Sequence, residues 1–436
     1  MRFLVRGVLV INSHFSFMRR IVALAIFILI GFSSAGQTRE DVVAGKLDLR
    51  NWDAVTQAVI TLDGEWIFQW EQLLNWENLV KEKKNYAKFS TPWNEQIING
   101  DKLPNNGYAT YAAEVILPVK MDEISIQVPA FFNSYSLWIN DVLICSNGVV
   151  GVSEKEEVPE WKPQSVSVKL QSNIMHIVLH ISNFQDTRGG ASQAIKISKG
   201  TDLISAEVRD NVTGSIMFFM FLVVGLLGVV VYYISRQRNI LYFSLVSIAF
   251  AIRFLFSDMY LYYDLIPFSI PWNIAVRIEY ATVPFVVAWS TLFVSGKYPN
   301  EFKKSIRMFF ILTSALFIVL TAVVGFKFIS QLLLFIQVTT LAFLVYIIVA
   351  IINAMLDGRV GAWTSAIGLA ICVLVGFYNI AILLSGGEIN RLIIYSGYTA
   401  ALILNGLSLL YRTDDQIAKE KRNKLSFSDF YTDSDG

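Results

Sequence analysis

The sequence predicts a membrane protein in two parts, an N-terminal all-β sandwich followed by an α-helical bundle of seven transmembrane spans. Three observations predict it. Seven long apolar runs fill the chain from about Thr213 to Tyr411, and each reaches or approaches the ~20 residues a helix needs to cross about 30 Å of hydrocarbon. The stretch before them, residues 36–207, breaks instead into short alternating segments separated by Gly, Pro and Asn, the pattern of antiparallel strands. Composition agrees: 54% of residues are hydrophobic and 16% charged, against roughly 25% charged in an ordinary soluble domain.

Met18-Arg19-Arg20 precede the apolar stretch Ile21 to Phe32 and the small residues Ser33-Ser34-Ala35-Gly36. A basic start, an apolar core and small residues at the cleavage position define a secretory signal over residues 1–35, with cleavage expected near Ala35. Residues Met1 to Phe17 fit that pattern poorly, which makes Met18 an alternative start. An uncleaved anchor helix is the other reading. No Cys follows the apolar stretch, so a lipoprotein anchor is not expected.

Within residues 36–207 the clearest strand signals are Thr110 to Leu117, Ile124 to Val128, Tyr135 to Ile139 and Ile174 to Ile181. In the last, Met175, Ile177, Leu179 and Ile181 share one face while His176, Val178 and His180 share the other, because side chains alternate along a strand. One buried face per sheet implies a sandwich. The segment Leu73 to Lys88 reads as more helical and is expected as an excursion on it.

The membrane region, residues 208–411, places its spans at about Thr213 to Ser235, Asn239 to Ser257, Trp272 to Ser295, Ser305 to Gly325, Phe328 to Ile352, Gly361 to Leu384 and Asn390 to Tyr411. Basic residues orient them. Arg236 and Arg238 follow the first span, Lys297, Lys303, Lys304 and Arg307 the third, Arg359 the fifth, and Arg412, Lys419, Lys421, Arg422 and Lys424 the seventh. The alternate connections hold only Lys327 and Arg391. The sandwich is therefore expected outside the inner membrane and the tail, residues 412–436, in the cytoplasm.

The chain offers little for catalysis. His14, His176 and His180 are its only histidines, and Cys145 and Cys372 its only cysteines. Residues four apart on a strand stand roughly 13 Å apart, too far for His176 and His180 to share one metal ion. No phosphate-binding loop, zinc-protease, hydrolase-elbow or dinucleotide motif occurs. No catalytic residue, metal or cofactor is expected, and a net charge of +1 gives no footing for nucleic acid.

An ordered series of short motifs runs through the first half: Leu62-Asp63-Gly64-Glu65-Trp66 with Phe68, Pro92-Trp93-Asn94, Gly107-Tyr108-Ala109-Thr110-Tyr111, Leu137-Trp138-Ile139-Asn140, Gly148 with Gly151, and Ile181-Ser182-Asn183-Phe184 with Gly189-Gly190. Followed by seven spans, the series resembles the type-two extracellular domain of the bacterial 7TMR-DISM family, seven-transmembrane receptors with diverse intracellular signalling modules. The resemblance implies a jelly-roll, galactose-binding-like sandwich similar to the sugar-binding domain of glycoside hydrolase family 2. It also implies a role in transmembrane sensing, with carbohydrate as the suspected ligand class.

Read from the residues, Trp93 and Trp138 are either stacking platforms for a sugar ring or core. Gly189 and Gly190 mark turns that also admit close backbone approach. Asn140 and Asn183 carry both donor and acceptor, suited to hydroxyls, although Asn140 before Asp141 equally suits a tight turn. His176 and His180 complete the candidate ligand-binding set as half-exposed groups on one sheet face.

In the membrane half, Arg253 in the second span and Arg277 with Glu279 in the third lie at matching depth, and charges in hydrocarbon are usually paired. They form a candidate polar switch, in which an Arg to Glu contact holds the two helices in one arrangement. The bland alternative is a structural pair with side chains reaching toward the headgroups. Asn353, Asn379 and Asn405 are expected to hydrogen-bond between helices.

The tail is too short for a kinase, cyclase or phosphatase domain. The sequence thus points to a non-enzymatic receptor that binds a small molecule or carbohydrate outside and signals through a separate protein, inside or in the membrane. An envelope docking or assembly protein is the alternative, and a transporter with a capture domain a weaker one. Self-association is left open.

Overall fold

The computed structural model describes residues 41–98, 100–119, 121–131, 133–385 and 390–409. The expected signal and tail lie outside the described residues, as does the last span beyond Leu409. The chain divides into two compact units, one of Arg39–Leu356 and one containing Asp357–Gly436.

The first unit opens with the sandwich. Its larger sheet follows the order β4 (Asn85–Lys88), β3 (Glu65–Trp70), β5 (Gly107–Ile116), β10 (Ile174–Asn183), β7 (Ser134–Ile139) and β8 (Val142–Asn147), with β1 (Lys46–Asp48) parallel to β5. The smaller sheet runs β2 (Val59–Leu62), β11 (Ile195–Lys199), β6 (Glu123–Val128) and β9 (Gln164–Lys169). All four strands predicted from the sequence are present within a few residues of their expected ends.

Alternation decides what each strand buries. On β10, Met175, Ile177, Leu179 and Ile181 enter the core between the sheets, beside Tyr111, Ala113 and Val115 of β5 and Tyr135, Leu137 and Ile139 of β7. Ile124, Ile126, Ile195 and Ile197 meet them from the smaller sheet. Each such side chain contributes about 1.5–3 kcal/mol on burial, so one core holds both sheets.

The outer faces are covered by different means. Over the larger sheet lies α1 (Trp76–Lys81), whose Leu79 packs with Leu74 and Trp76 on Ile67, Ala112, Val178 and Trp138. The Asn75 side chain caps α1 by accepting from Asn78 N at 3.1 Å. The helical reading of Leu73 to Lys88 therefore holds for six residues only, because Asn85–Lys88 pairs with β3 as the edge strand β4. Over the smaller sheet lies the start of α2 (Asp202–Ser235), with Leu203 buried and its N–H donating to Ser125 Oγ at 3.3 Å.

That helix begins eleven residues before Thr213, where the sequence places the first span. Its first turns carry Asp202, Glu207, Arg209 and Asp210, so hydropathy alone does not see them. Thirty-four residues of α-helix measure about 51 Å. A single helix thus runs from the sheet surface through the bilayer.

After α2 come α3 (Arg238–Phe256), the single turn α4 (Tyr262–Leu265), α5 (Trp272–Lys297), α6 (Lys304–Val323) and α7 (Phe326–Leu356). Helix α3 packs on α2 and α5, and α5 packs on α6 and α7. The second unit contains α8 (Ala362–Ser385) and α9 (Arg391–Leu409). There Asn405 donates to Ala401 O in its own helix at 2.8 Å while facing Gly368 of α8. The helix-to-helix hydrogen bond expected of it is replaced by close packing over a glycine.

The junction of sandwich and helices as candidate functional site

Trp93 is 0% exposed and donates from Nε1 to Pro104 O at 2.8 Å. The glycine pair lies against its ring: a Cβ on Gly189 would fall 2.2 Å from Trp93 Nε1, and one on Gly190, whose φ is +86°, 2.5 Å from Trp93 Cε3. Close backbone approach does occur there, but to an indole of the same chain. Asn183 is equally occupied, donating to Asn105 O and Asp186 O and accepting from Asp186 N, at 2.8, 2.9 and 2.9 Å.

The rest of the set gathers on the outer face of the larger sheet. The half-buried Trp138 lies 4.3 Å from the His180 ring, and His176 stacks on Trp76 at 4.1 Å with planes 10° apart. His180 Nε2 donates to Leu74 O at 2.9 Å. Burial holds the His180 pKa below the ordinary histidine value, against the pull of that bond. Asn140 and Asp141, with φ of 49° and 63°, form the two-residue turn between β7 and β8. The Asn140 side chain also accepts from His176 N at 2.8 Å. Trp138, His176 and His180 thus form a partly covered aromatic patch, separate from the glycine loop around Trp93.

The membrane charges are arranged differently from the sequence expectation. Arg253 donates to Thr282 Oγ1 of α5 at 3.2 Å, and Arg277 to the Thr321 carbonyl of α6 at 2.5 Å. Glu279 Oε2 is buried without a hydrogen-bond partner. Arg253 does tie the second span to the third, but a hydroxyl one turn from Glu279 takes the place of the carboxylate. Thr282 can accept because its own hydroxyl donates back to Glu279 O at 2.6 Å.

The densest constellation went unread in the sequence. Trp161, in the loop between β8 and β9, is 1% exposed. Its ring lies edge-on to Trp272 at 5.4 Å and to Phe326 at 5.6 Å, which places a sandwich residue against the first turns of α5 and α7. Ala130, Phe256, Tyr260, Tyr262, Ala275 and Val276 complete the buried cluster. Beside it, Lys162 Nζ lies 2.8 Å from Asp264 Oδ1 and 5.4 Å from the Tyr263 ring centre. Asn211 of α2 donates to the other Asp264 oxygen at 3.5 Å.

The sandwich holds this loop firmly. The buried Asn147 donates to Glu160 O and Lys162 O at 3.0 and 3.1 Å, fixing the backbone on both sides of Trp161. Upstream, Ser134 Oγ donates to Val158 O at 2.9 Å. Glu157 accepts from Phe184 N at 2.8 Å and from Ser182 Oγ at 3.2 Å. Burial pushes its carboxyl up to about 7, against the lowering effect of these hydrogen bonds.

On the membrane side, Asp258 and Tyr260 follow α3 with φ of 67° and 51°. A left-handed tyrosine is a costly conformation, on the order of 1–3 kcal/mol, retained where surrounding packing fixes it. Tyr260 is buried within the aromatic cluster, so the cluster holds the turn.

A water-facing sandwich keyed by its loops onto apolar helices is the layout of a multi-pass membrane protein. Seven helices among the described residues are long and apolar enough to cross a membrane. Residues 210–412 match the model of the family described as 7TM diverse intracellular signalling, 7TMR-DISM_7TM. The seven-helix region of this chain is similar to that family.

Among solved structures, the chain is similar to a GH2 beta-galacturonidase from Eisenbergiella tayi bound to galacturonate, at 13% identity, TM-score 0.24, over 32% of this chain and 24% of that one. It is also similar to the Ruminococcus gnavus beta-glucuronidase in complex with uronic isofagomine, at 14% identity, TM-score 0.25, over 32% and 28%. A beta-glucuronidase from an uncultured Clostridium sp. gives 10% identity, TM-score 0.26, over 32% and 28%. This chain therefore spans about a quarter of the length of those enzymes. Comparison with curated proteins finds no match.

Proposed function

We propose that this protein is a non-enzymatic transmembrane receptor whose sandwich domain binds an extracytoplasmic ligand and passes the event to the helices through the Trp161 junction. The observation that carries the reading is the seating of Trp161 among Trp272 and Phe326, with Lys162 on Asp264. A domain merely tethered to a membrane anchor needs a linker; this one is packed and ion-paired against the ends of the spans. A ligand biases such a seat only by binding two arrangements with different affinity.

Carbohydrate is the ligand class we favour, with the patch of Trp138, His176 and His180 as its place. An aromatic face beside ring nitrogens suits the apolar face and hydroxyl rim of a sugar. The sandwich lies outside the inner membrane, in keeping with the basic residues in the opposite connections, and a separate protein inside or in the membrane reads the helices.

The test uses the full chain in lipid nanodiscs, screened against a broad glycan panel, with hydrogen exchange followed at residues 257–271. A glycan that binds and alters protection at that connection supports the reading. Absence of any glycan binding removes carbohydrate as the ligand class, and binding without change at the connection removes the junction as the route.

A further inference from the structure

The connection between α3 and α5, residues 257–271, has two faces of opposite character. One face meets the sandwich: Asp264 holds Lys162, and Tyr260 and Tyr262 share the Trp161 cluster. The other exposes large apolar groups. Phe268 is 68% exposed and Leu265 37%, and Pro267 between them is also exposed.

Helix geometry sets the depth of this loop. Helix α3 has 19 residues, about 28 Å, which is nearly the whole hydrocarbon thickness of about 30 Å. A loop leaving its end at Ser257 therefore starts at the boundary between acyl chains and headgroups. Arg253 bonds Thr282, and Trp272 lies ten residues beyond Thr282 whereas Ser257 lies four beyond Arg253, so the loop rises about 9 Å through the headgroup layer before α5 begins. Asp264, whose carboxylate bonds Lys162 and Asn211, marks the wetter side.

We propose that residues 265–270 insert into the acyl–headgroup boundary of the leaflet on the sandwich side, so that the seat of Trp161 is anchored to lipid as well as to protein. Phe268 and Leu265 enter the boundary, while Asp264 stays at the headgroup level. Pro267 and Pro271 restrict the backbone on either side and keep the apolar pair presented. The partner is the bilayer surface itself. The sandwich then rests on a platform whose height follows the local thickness of the membrane.

The experiment needs the full chain in phosphatidylethanolamine–phosphatidylglycerol vesicles and does not depend on any ligand. A nitroxide is placed on Phe268→Cys in a Cys372→Ala background; the remaining Cys145 is a buried thiol. Collisions with oxygen and with a water-soluble nickel chelate are compared with those at Val55→Cys on the sandwich and Val231→Cys in α2, both exposed positions. Oxygen collisions exceeding nickel collisions at Phe268, on the side of the Val231 value, are the expected result. A nickel-dominated, Val55-like value overturns the proposal. Should the Phe268 variant fail to insert, Leu265→Cys reads the same loop and decides by the same criterion.

Discussion

Trp161 of the sandwich and Trp272 at the start of α5 stand edge to face, 5.4 Å between ring centres and 73° between planes. Aromatic pairs favour this geometry because the positive edge of one ring meets the negative face of the other, a gain of about 0.5–1.5 kcal/mol beyond area burial. The pair joins two differently built parts of the molecule. Most of its consequences can be measured without knowing the ligand.

The ion pair beside it is a weaker link. Lys162 and Asp264 side chains are 29% and 44% exposed, and such pairs contribute about 0.2–1 kcal/mol. A double-mutant cycle of Lys162→Ala and Asp264→Ala, read by thermal unfolding, is expected to return a coupling energy in that range. Raising salt should shrink it. A coupling well above the range, insensitive to salt, would show a desolvated pair and a tighter seat than the exposure allows.

Glu157 makes the loop beneath Trp161 sensitive to pH. Its folded-state pKa, about 7, stands above the ordinary glutamate value of 4.5, so the folded protein keeps a proton that the unfolded chain releases. Its stabilising contribution is fully present below about 4.5, declines as pH rises and is lost through about 7. Thermal unfolding of wild type and Glu157→Gln across that interval checks the sign: relative to the variant, wild type should lose stability as pH rises. A flat difference, or one of opposite slope, refutes the assignment.

Gly190 is expected to tolerate no side chain. Its φ of +86° disfavours other residues, and a Cβ would lie 2.7 Å from Tyr111 Oη as well as against Trp93. Gly190→Ala should destabilise the sandwich by about 1–3 kcal/mol from overpacking, with the positive-φ strain in addition. Chemical denaturation of the full chain, followed by tryptophan fluorescence, measures it. A change under 0.5 kcal/mol, the scale of neutral surface substitutions, would mean the loop moves away from Trp93 at little cost.

Within the helices, Arg253 and Glu279 should behave unequally. Thr282→Val removes the acceptor for Arg253 and is expected to cost about 1–3 kcal/mol in a steric-trap or detergent unfolding assay. Glu279→Gln breaks no hydrogen bond of the Glu279 carboxylate and should change stability less. The reverse ranking would place the stabilising contact on Glu279 after all.

Much of this architecture is legible in the sequence because it follows from period and length. The alternation of Met175, Ile177, Leu179 and Ile181 against His176 and His180 survives unchanged in β10, since a strand has only two faces. The seven apolar runs correspond to the seven long helices for the same kind of reason. What hydropathy misses is amphipathic: the first eleven residues of α2 bury Leu203 against the smaller sheet while remaining polar on average.

The junction was hidden differently. Trp161 lies in Pro159-Glu160-Trp161-Lys162-Pro163, a polar loop by composition, and its partners come from residues more than a hundred positions later. One signal was available: a lone indole between prolines and charges, matched by the aromatic-rich connection holding Tyr260, Tyr262, Tyr263 and Phe268. For Trp93 the residue type alone leaves stacking platform and core both open. Two glycines without side chains let the backbone close over it, and it is core.

Hydrogen exchange on Trp161→Ala in lipid nanodiscs tests most directly whether the sandwich is seated on the helices through this residue. Removing a buried tryptophan costs about 3–5 kcal/mol where the site cannot collapse. The account predicts faster exchange at residues 259–265 and at the first turns of α5, with β10 amides as protected as in wild type. Unchanged exchange at 259–265 would contradict it.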